Sequence, residues 1–150
     1  MSDLRELYQT VILDHNKNPR NFGSVEDATG RAAGFNPLCG DQIDVSLRVA
    51  DGMVQELRFE GSGCAISTAS ASIMTQAVKG KPVADALALF DGFHALVMTP
   101  LDQPVDADAL GKLAVFAGVR EFPVRVKCAT LAWHTLKNAL EGISHVAKTE

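Results

Sequence analysis

The chain has only three cysteines among its 150 residues, and no two of them form a CxxC pair. An odd, widely spaced set does not build a disulfide framework. Aromatic residues make up 6%, with one Trp and one Tyr, too few for a platform on which bases stack. Positive charge is also scarce. The formal net charge is -4 and no basic run occurs, so the footprint required by nucleic acid or an anionic membrane surface is missing. No apolar stretch approaches the roughly 20 residues of a membrane-spanning helix. The opening MSDLRE carries charge at once and has no apolar secretory core. The expectation is a cytoplasmic protein whose thiols stay reduced, with no nucleic-acid or membrane partner.

What is present fits one globular domain over residues 1–150, with 47% hydrophobic and 21% charged residues. Leu4, Leu7, Tyr8, Val11 and Ile12 carry the apolar spacing of a helix over 3–14, ended by the Asn, Pro and Gly of DHNKNPRNFG. Residues 15–38 read as loop with one short strand near 29–34. Ile43, Val45, Leu47 and Val49 alternate with polar residues up to Asp51-Gly52, a tight-turn pair. Beyond it, Met53, Gln55, Leu57 and Phe59 are expected on one face, with Val54, Glu56, Arg58 and Glu60 on the other. A helix over 65–79 rich in Ala and Ser follows, then one or two short helices over 82–98 broken near Asp91-Gly92. Residues 99–108 read as loop, 109–119 as helix, REFPVRVK as an extended connector, and 128–140 as a helix stopped by Gly142. Strands followed by helices predict an α+β fold: a small antiparallel sheet of about three strands with helices packed on one face.

The cysteines all fall at element ends. Cys39 lies in GFNPLCGDQIDV before a strand, Cys64 after Gly61-Ser62-Gly63 at a strand-to-helix junction, and Cys128 at the expected start of the last helix. Helix N-termini favour a thiolate, and Arg125 and Lys127 beside Cys128 push the same way. Asp41 follows Cys39 by two, which in extended backbone puts both side chains on one side. Three thiolates and a carboxylate are the four donors of a tetrahedral zinc site, and iron or an iron–sulfur cluster accepts thiolates equally. Against this stands the plain reading of three buried small hydrophobes and a solvated turn aspartate.

The blocks LYQTVILDHNKNPRNFG, GFNPLCGDQIDV, FEGSGCAISTASASIM and RVKCATLAWHTL resemble, in order and over nearly the whole chain, the U-type iron–sulfur cluster assembly proteins of the IscU/NifU-N-terminal kind. Within that family the chain looks like the SufU branch. Lys127 stands where the IscU branch has a His before its third cysteine, and 82–117 looks like the SufU-type insertion. FPVRVK replaces the Leu-Pro-Pro-Val-Lys chaperone-recruiting segment. The resemblance implies Cys39, Asp41, Cys64 and Cys128 as metal ligands, with zinc as the metal. It implies Cys39 as the acceptor of persulfide sulfur from a SufS-type cysteine desulfurase, and downstream Suf scaffolds or apo iron–sulfur proteins as recipients. The alternative it carries is a scaffold on which the same cysteines hold a transient [2Fe-2S] cluster or iron. Either role is that of a transfer partner or scaffold, not a stand-alone enzyme.

Other residues are read more plainly. Arg125 is expected to pair with Asp41 or an acidic partner, and Lys127 to tune Cys128 or sit solvated. His15 is expected to cap or brace a loop. His94, His134 and His145 have no ligand spacing, and His134 is expected at the surface. Trp133 and Tyr8 read as core, and Ser67, Ser70 and Ser72 as small packing residues, with Ser67 near enough to bond the Cys64 sulfur.

Overall fold

The computed structural model describes residues 2–105, 110–142 and 147–148. Part of the loop expected at 99–108, Ala109 and His145 lie outside them. The elements run α1 (Ser2–Lys17), β1 (Gly30–Asn36), β2 (Asp41–Ala50), β3 (Met53–Ser62), α2 (Ala65–Val78), α3 (Val83–Met98), a 3-10 helix (Gly111–Glu121), α4 (Pro123–Glu141) and β4 (Ala147–Lys148). Sheet order is β3-β2-β1-β4. The three long strands pair antiparallel as expected. The short β4 joins β1 in parallel through Gly34↔Ala147 and Phe35↔Lys148, a strand too brief to leave a period in the sequence.

The β2–β3 hairpin turns on Asp51 and Gly52, at φ 55° and 74°, the two positive values a twisted two-residue turn needs. One detail departs from simple alternation. The register steps from Arg48↔Glu56 to Val49↔Val54, so Gln55 is an extra residue and the parity of β3 changes there. Val54, expected on the outer face, is therefore buried with Leu57 and Phe59, while Gln55 is exposed.

Helices cover the face that carries Ile43, Val45 and Leu47. α4 lies on β1 and β2, and α2 packs between α1 and α4. The small residues of α2 make that position available. Ala69, Ser70, Ala71, Ser72, Ile73 and Met74 are all buried, and Ser70 Oγ donates to Ala129 O of α4 at 2.6 Å. α3 runs unbroken through Gly92. A Cβ there would come 3.1 Å from Leu110, so close packing holds a residue that read as a breaker. Trp133 is buried and stacks on Phe93 with ring centroids 4.9 Å apart.

α4 is the element that differs most from expectation. It starts at Pro123, not at Cys128. Proline is at home in a first helical turn, where its missing N–H has no partner to lose. REFPVRVK is thus the end of the 3-10 helix and the first turn of α4, rather than an extended connector. Cys128 consequently sits in the second turn, without the free N–H groups of a helix start. No described helix is long and apolar enough to cross a membrane.

Candidate metal centre

β1 and β2 end their ladder at the pair Asn36↔Asp41. The four residues between them form a tight turn closed by Gly40 N–H donating to Asn36 O at 2.8 Å. Cys39 sits on this turn, half-buried. Gly40 has φ +72°, a left-handed position that suits glycine, and nothing among the described residues lies within 4 Å of where a Cβ would stand. The i, i+2 rule of extended backbone therefore does not bring Cys39 and Asp41 together; the reversal of the turn does.

Asp41 is 0% exposed, which overturns the solvated-turn reading. Its Oδ1 accepts the backbone N–H of Cys64 at 2.9 Å, and its Oδ2 accepts Asn36 Nδ2 at 3.2 Å. The approach depends on Gly63, where a Cβ would stand 2.6 Å from Asp41 Oδ1.

Cys64 is the N-cap of α2, with φ -72° and ψ 167°. Its sulfur accepts the Ser67 backbone N–H at 3.5 Å, so the main chain of Ser67, not its hydroxyl, makes the bond. Cys64 is held well below the ordinary thiol range, at about 6, chiefly by a hydrogen bond from the Cys128 thiol. The N–H groups of Ser67 and Ile66 act in the same direction, against burial and the nearby Asp41 carboxylate. Cys128 moves up instead, because it gives its proton to Cys64, is buried and bonds Cys39. The depression expected for Cys128 from a helix start does not occur, because the helix starts five residues earlier.

Cys39 Sγ and Cys128 Sγ are 3.4 Å apart. The donor atoms of Cys39, Asp41 and Cys128 all lie within 4.8 Å of one another. Cys64 falls outside that mutual set; its backbone N–H bonds Asp41 and its thiol is coupled to that of Cys128. Arg125 is exposed and reaches Cys64, whose negative charge raises the Arg125 pKa; the expected pairing with Asp41 is not made. Lys127 is half-buried, and among the described residues no hydrogen bond or ion pair joins its ammonium to the thiols. A converging set of thiols and one buried carboxylate, each carboxylate oxygen already aimed by an N–H, is chemistry suited to a soft or borderline metal.

Residues 7–129 match the family described as NifU-like N terminal domain. The chain belongs to that family. It is 41% identical over 140 residues to the zinc-dependent sulfurtransferase SufU of Bacillus subtilis, covering 93% of this chain and 92% of that one. It is also 41% identical over 141 residues to the iron-sulfur cluster assembly scaffold protein IscU of Streptococcus pyogenes, covering 94% and 87%. Among solved structures it resembles one from Fervidobacterium islandicum, named as a candidate iron-sulfur cluster assembly scaffold for the SUF system. There the TM-score is 0.81 and the identity 32%, over 90% of this chain and 97% of that one.

In this NifU-like domain Asn36, which carries no signal of its own in the sequence, bonds two members of the centre. Asn36 is 0% exposed. Its Nδ2 donates to Asp41 Oδ2 and, at 3.5 Å, to Cys128 Sγ, while its Oδ1 accepts the Leu38 N–H at 3.3 Å. In the sequence it read only as the Asn of an Asn-Pro turn. Tyr8, half-buried against Phe116, has a buried hydroxyl with no hydrogen-bond partner among the described residues. Burial raises its pKa, and Cys64, Cys128 and Arg125 are among its charged neighbours. His134 is half-buried rather than at the surface, edge-on to Phe90 and His94. His15, 1% exposed, has Nδ1 2.7 Å from Ser72 Oγ, which also accepts the Arg20 N–H. It braces the loop after α1.

Proposed function

We propose that this chain is a zinc-bound sulfur acceptor of the SufU type in iron–sulfur cluster assembly. It takes persulfide sulfur from a SufS-type cysteine desulfurase and passes it toward downstream Suf scaffolds or apo iron–sulfur proteins. The observation that carries this reading is the asymmetry of the thiols. Cys39 rides on an open glycine turn, while Cys128, its neighbour at 3.4 Å, is buried in a helix.

Cys39, Asp41, Cys64 and Cys128 would hold the metal. Bound zinc would keep its cysteine ligands deprotonated at neutral pH. The rest is work for the chain itself. Cys39 supplies the thiolate that bonds to the outer sulfur of the desulfurase persulfide. The S–S bond there breaks and its electron pair leaves on the desulfurase cysteine. Asp41, with Asn36 and the Cys64 N–H on its oxygens, holds a fixed carboxylate beside the moving thiol. Lys127 in place of the branch-defining His, and residues 82–117 as an insertion carrying α3 and the start of the 3-10 helix, support the SufU assignment. So does the likeness to the Bacillus subtilis zinc-dependent sulfurtransferase.

A second reading has its own support. The Streptococcus pyogenes scaffold IscU is equally similar, at 41%, and thiolates are the usual ligands of a [2Fe-2S] cluster carried as cargo. One anaerobic experiment separates the two. The protein is purified, zinc and iron are quantified, and intact mass is recorded after incubation with a desulfurase and cysteine, with Cys39→Ser in parallel. One zinc per chain and a gain of one sulfur that the variant loses supports sulfur acceptance. Iron and sulfide with cluster absorption, and no sulfur on Cys39, supports the scaffold.

A further inference from the structure

We propose that Leu38, Phe122 and Val124 form an apolar collar on which the cysteine desulfurase docks while its persulfide reaches Cys39. This rests on the reading of Cys39 as acceptor, and it adds the surface that selects the donor and the chemistry of the surface that fits it.

The three side chains are 60%, 51% and 54% exposed. They stand at two places in the fold, and both border the thiols. Leu38 directly precedes Cys39 on the turn between β1 and β2. Phe122 and Val124 open α4, where Val124 O lies 3.9 Å from Cys128 Sγ, itself 3.4 Å from Cys39 Sγ. Val124 and Cys128 are four residues apart in the helix, so their side chains leave it on one face. Local structure does not call for apolar side chains at these positions. Phe122 is the N-cap of α4 and makes no side-chain cap hydrogen bond, at a position where Ser, Thr, Asp or Asn supplies one. Tight turns favour Gly, Asn, Asp and Ser, and the bond that Leu38 makes there, to Asn36 Oδ1, uses its backbone N–H. Grouped apolar side chains in water, with no such local task, mark an interaction surface.

The occupant follows from the transfer itself. A new S–S bond is about 2.05 Å long, so the donor sulfur must come into contact with Cys39 Sγ. The surface around the donor then meets whatever surrounds Cys39. Buried Cys128 and Asp41 close the inner side of the acceptor. The donor therefore enters from the solvent side, which the collar borders. Glu121 and Arg125, both exposed, bring opposite charges to its rim, so what is left to recognise is apolar. The matching surface on the desulfurase is an uncharged, apolar one around its persulfide cysteine. Contact between the two expels water from both and favours association by burial. A small electrophile has no such surface and gains nothing from the collar.

The test uses the chain as purified, with zinc content and circular dichroism matched across variants. Sulfur gain on the chain is followed by intact mass with a desulfurase and saturating cysteine, as a function of chain concentration. Leu38→Gln and Phe122→Gln combined should raise the KM for the chain at least about tenfold with kcat within about twofold, the pattern of lost docking. Leu38→Met should keep the wild-type KM, and so should Leu13→Gln, a change at an exposed leucine of α1. Alkylation of Cys39 by iodoacetamide, which needs no docking, should proceed at the same rate in all of them. An unchanged KM in the double variant, a loss confined to kcat, an equal loss in Leu13→Gln, or slowed alkylation of Cys39 each overturns the collar alone. No sulfur on wild-type Cys39 from the desulfurase removes the acceptor reading, and the collar with it.

Discussion

The carboxylate of Asp41 accepts the backbone N–H of Cys64 at 2.9 Å. That single bond ties the first residue of β2 to the N-cap of α2, so the sheet and the central helix meet at the thiols. It also gives Asp41 two separable properties, a charge for a metal and an acceptor for the main chain.

Asp41→Asn and Asp41→Ala separate those properties. Asn keeps an oxygen for the Cys64 N–H and loses the charge; Ala loses both. Zinc affinity, measured by competition with a chromophoric chelator, should fall at least about tenfold in each. The Ala variant should in addition be less stable by about 1–3 kcal/mol in denaturant unfolding, because a buried N–H is left without a partner. Equal affinity in wild type and both variants would reduce Asp41 to a structural brace.

Asn36→Ala leaves every proposed ligand in place and removes the amide that bonds both Asp41 and Cys128. Outer partners of this kind are worth about 10- to 100-fold in metal affinity, and that is the loss expected. Asn36→Asp has the right shape but places a second carboxylate against Asp41, and should weaken folding of the metal-free chain more than Ala does.

In the chelated chain Cys64 titrates at about 6 because Cys128 donates to it. The pH profile of its alkylation by iodoacetamide, read by peptide mass, should have its midpoint there. Cys128→Ala withdraws the donor and should carry the midpoint upward toward an ordinary thiol. An unmoved midpoint would assign the effect to the α2 N-terminus instead.

His15 is held below its usual 6.5 by burial first and by Arg20 next. A base whose folded pKa is depressed takes up more protons when unfolded. Its contribution to stability is therefore complete above about 6.5 and is lost as pH falls through and below that value. Melting temperature should drop on acidification from about pH 7 to about pH 5.5, and His15→Asn should flatten that slope. His134 is shifted the same way by burial and by His94, so some slope remains in the variant.

The sequence was most legible where period and chemistry agreed. The β2–β3 hairpin could be read because alternation and Asp51-Gly52 pointed to one turn. It was misread at Val54 and Gln55, since an extra residue in the ladder is a backbone event with no composition of its own. Pro123 and Gly92 were misread for a related reason. Both are local breakers, and one sits where a helix tolerates it while the other is held by Leu110. The thiols stood out because cysteine is rare here and reactive, and Asp41 because it follows Cys39 by two. Asn36 did not, because the same amide serves any Asn-Pro turn, and only the folded chain brings Cys128, 92 positions away, within its reach.

The ladder that ends at Asn36↔Asp41 makes the length of one loop a chemical parameter. Sliding β2 by a single residue against β1 would turn Asp41 outward, present Gln42 in its stead, and leave Asn36 without the oxygen it serves. An insertion or deletion in the four-residue turn at 37–40 that shifted this register would therefore alter the centre itself, while the Asp51-Gly52 turn at the far end of the same strand bears on packing alone, its Gly52 O accepting the Val83 N–H at 2.9 Å. One tip of the sheet thus sets the chemistry and the other sets the docking of α3.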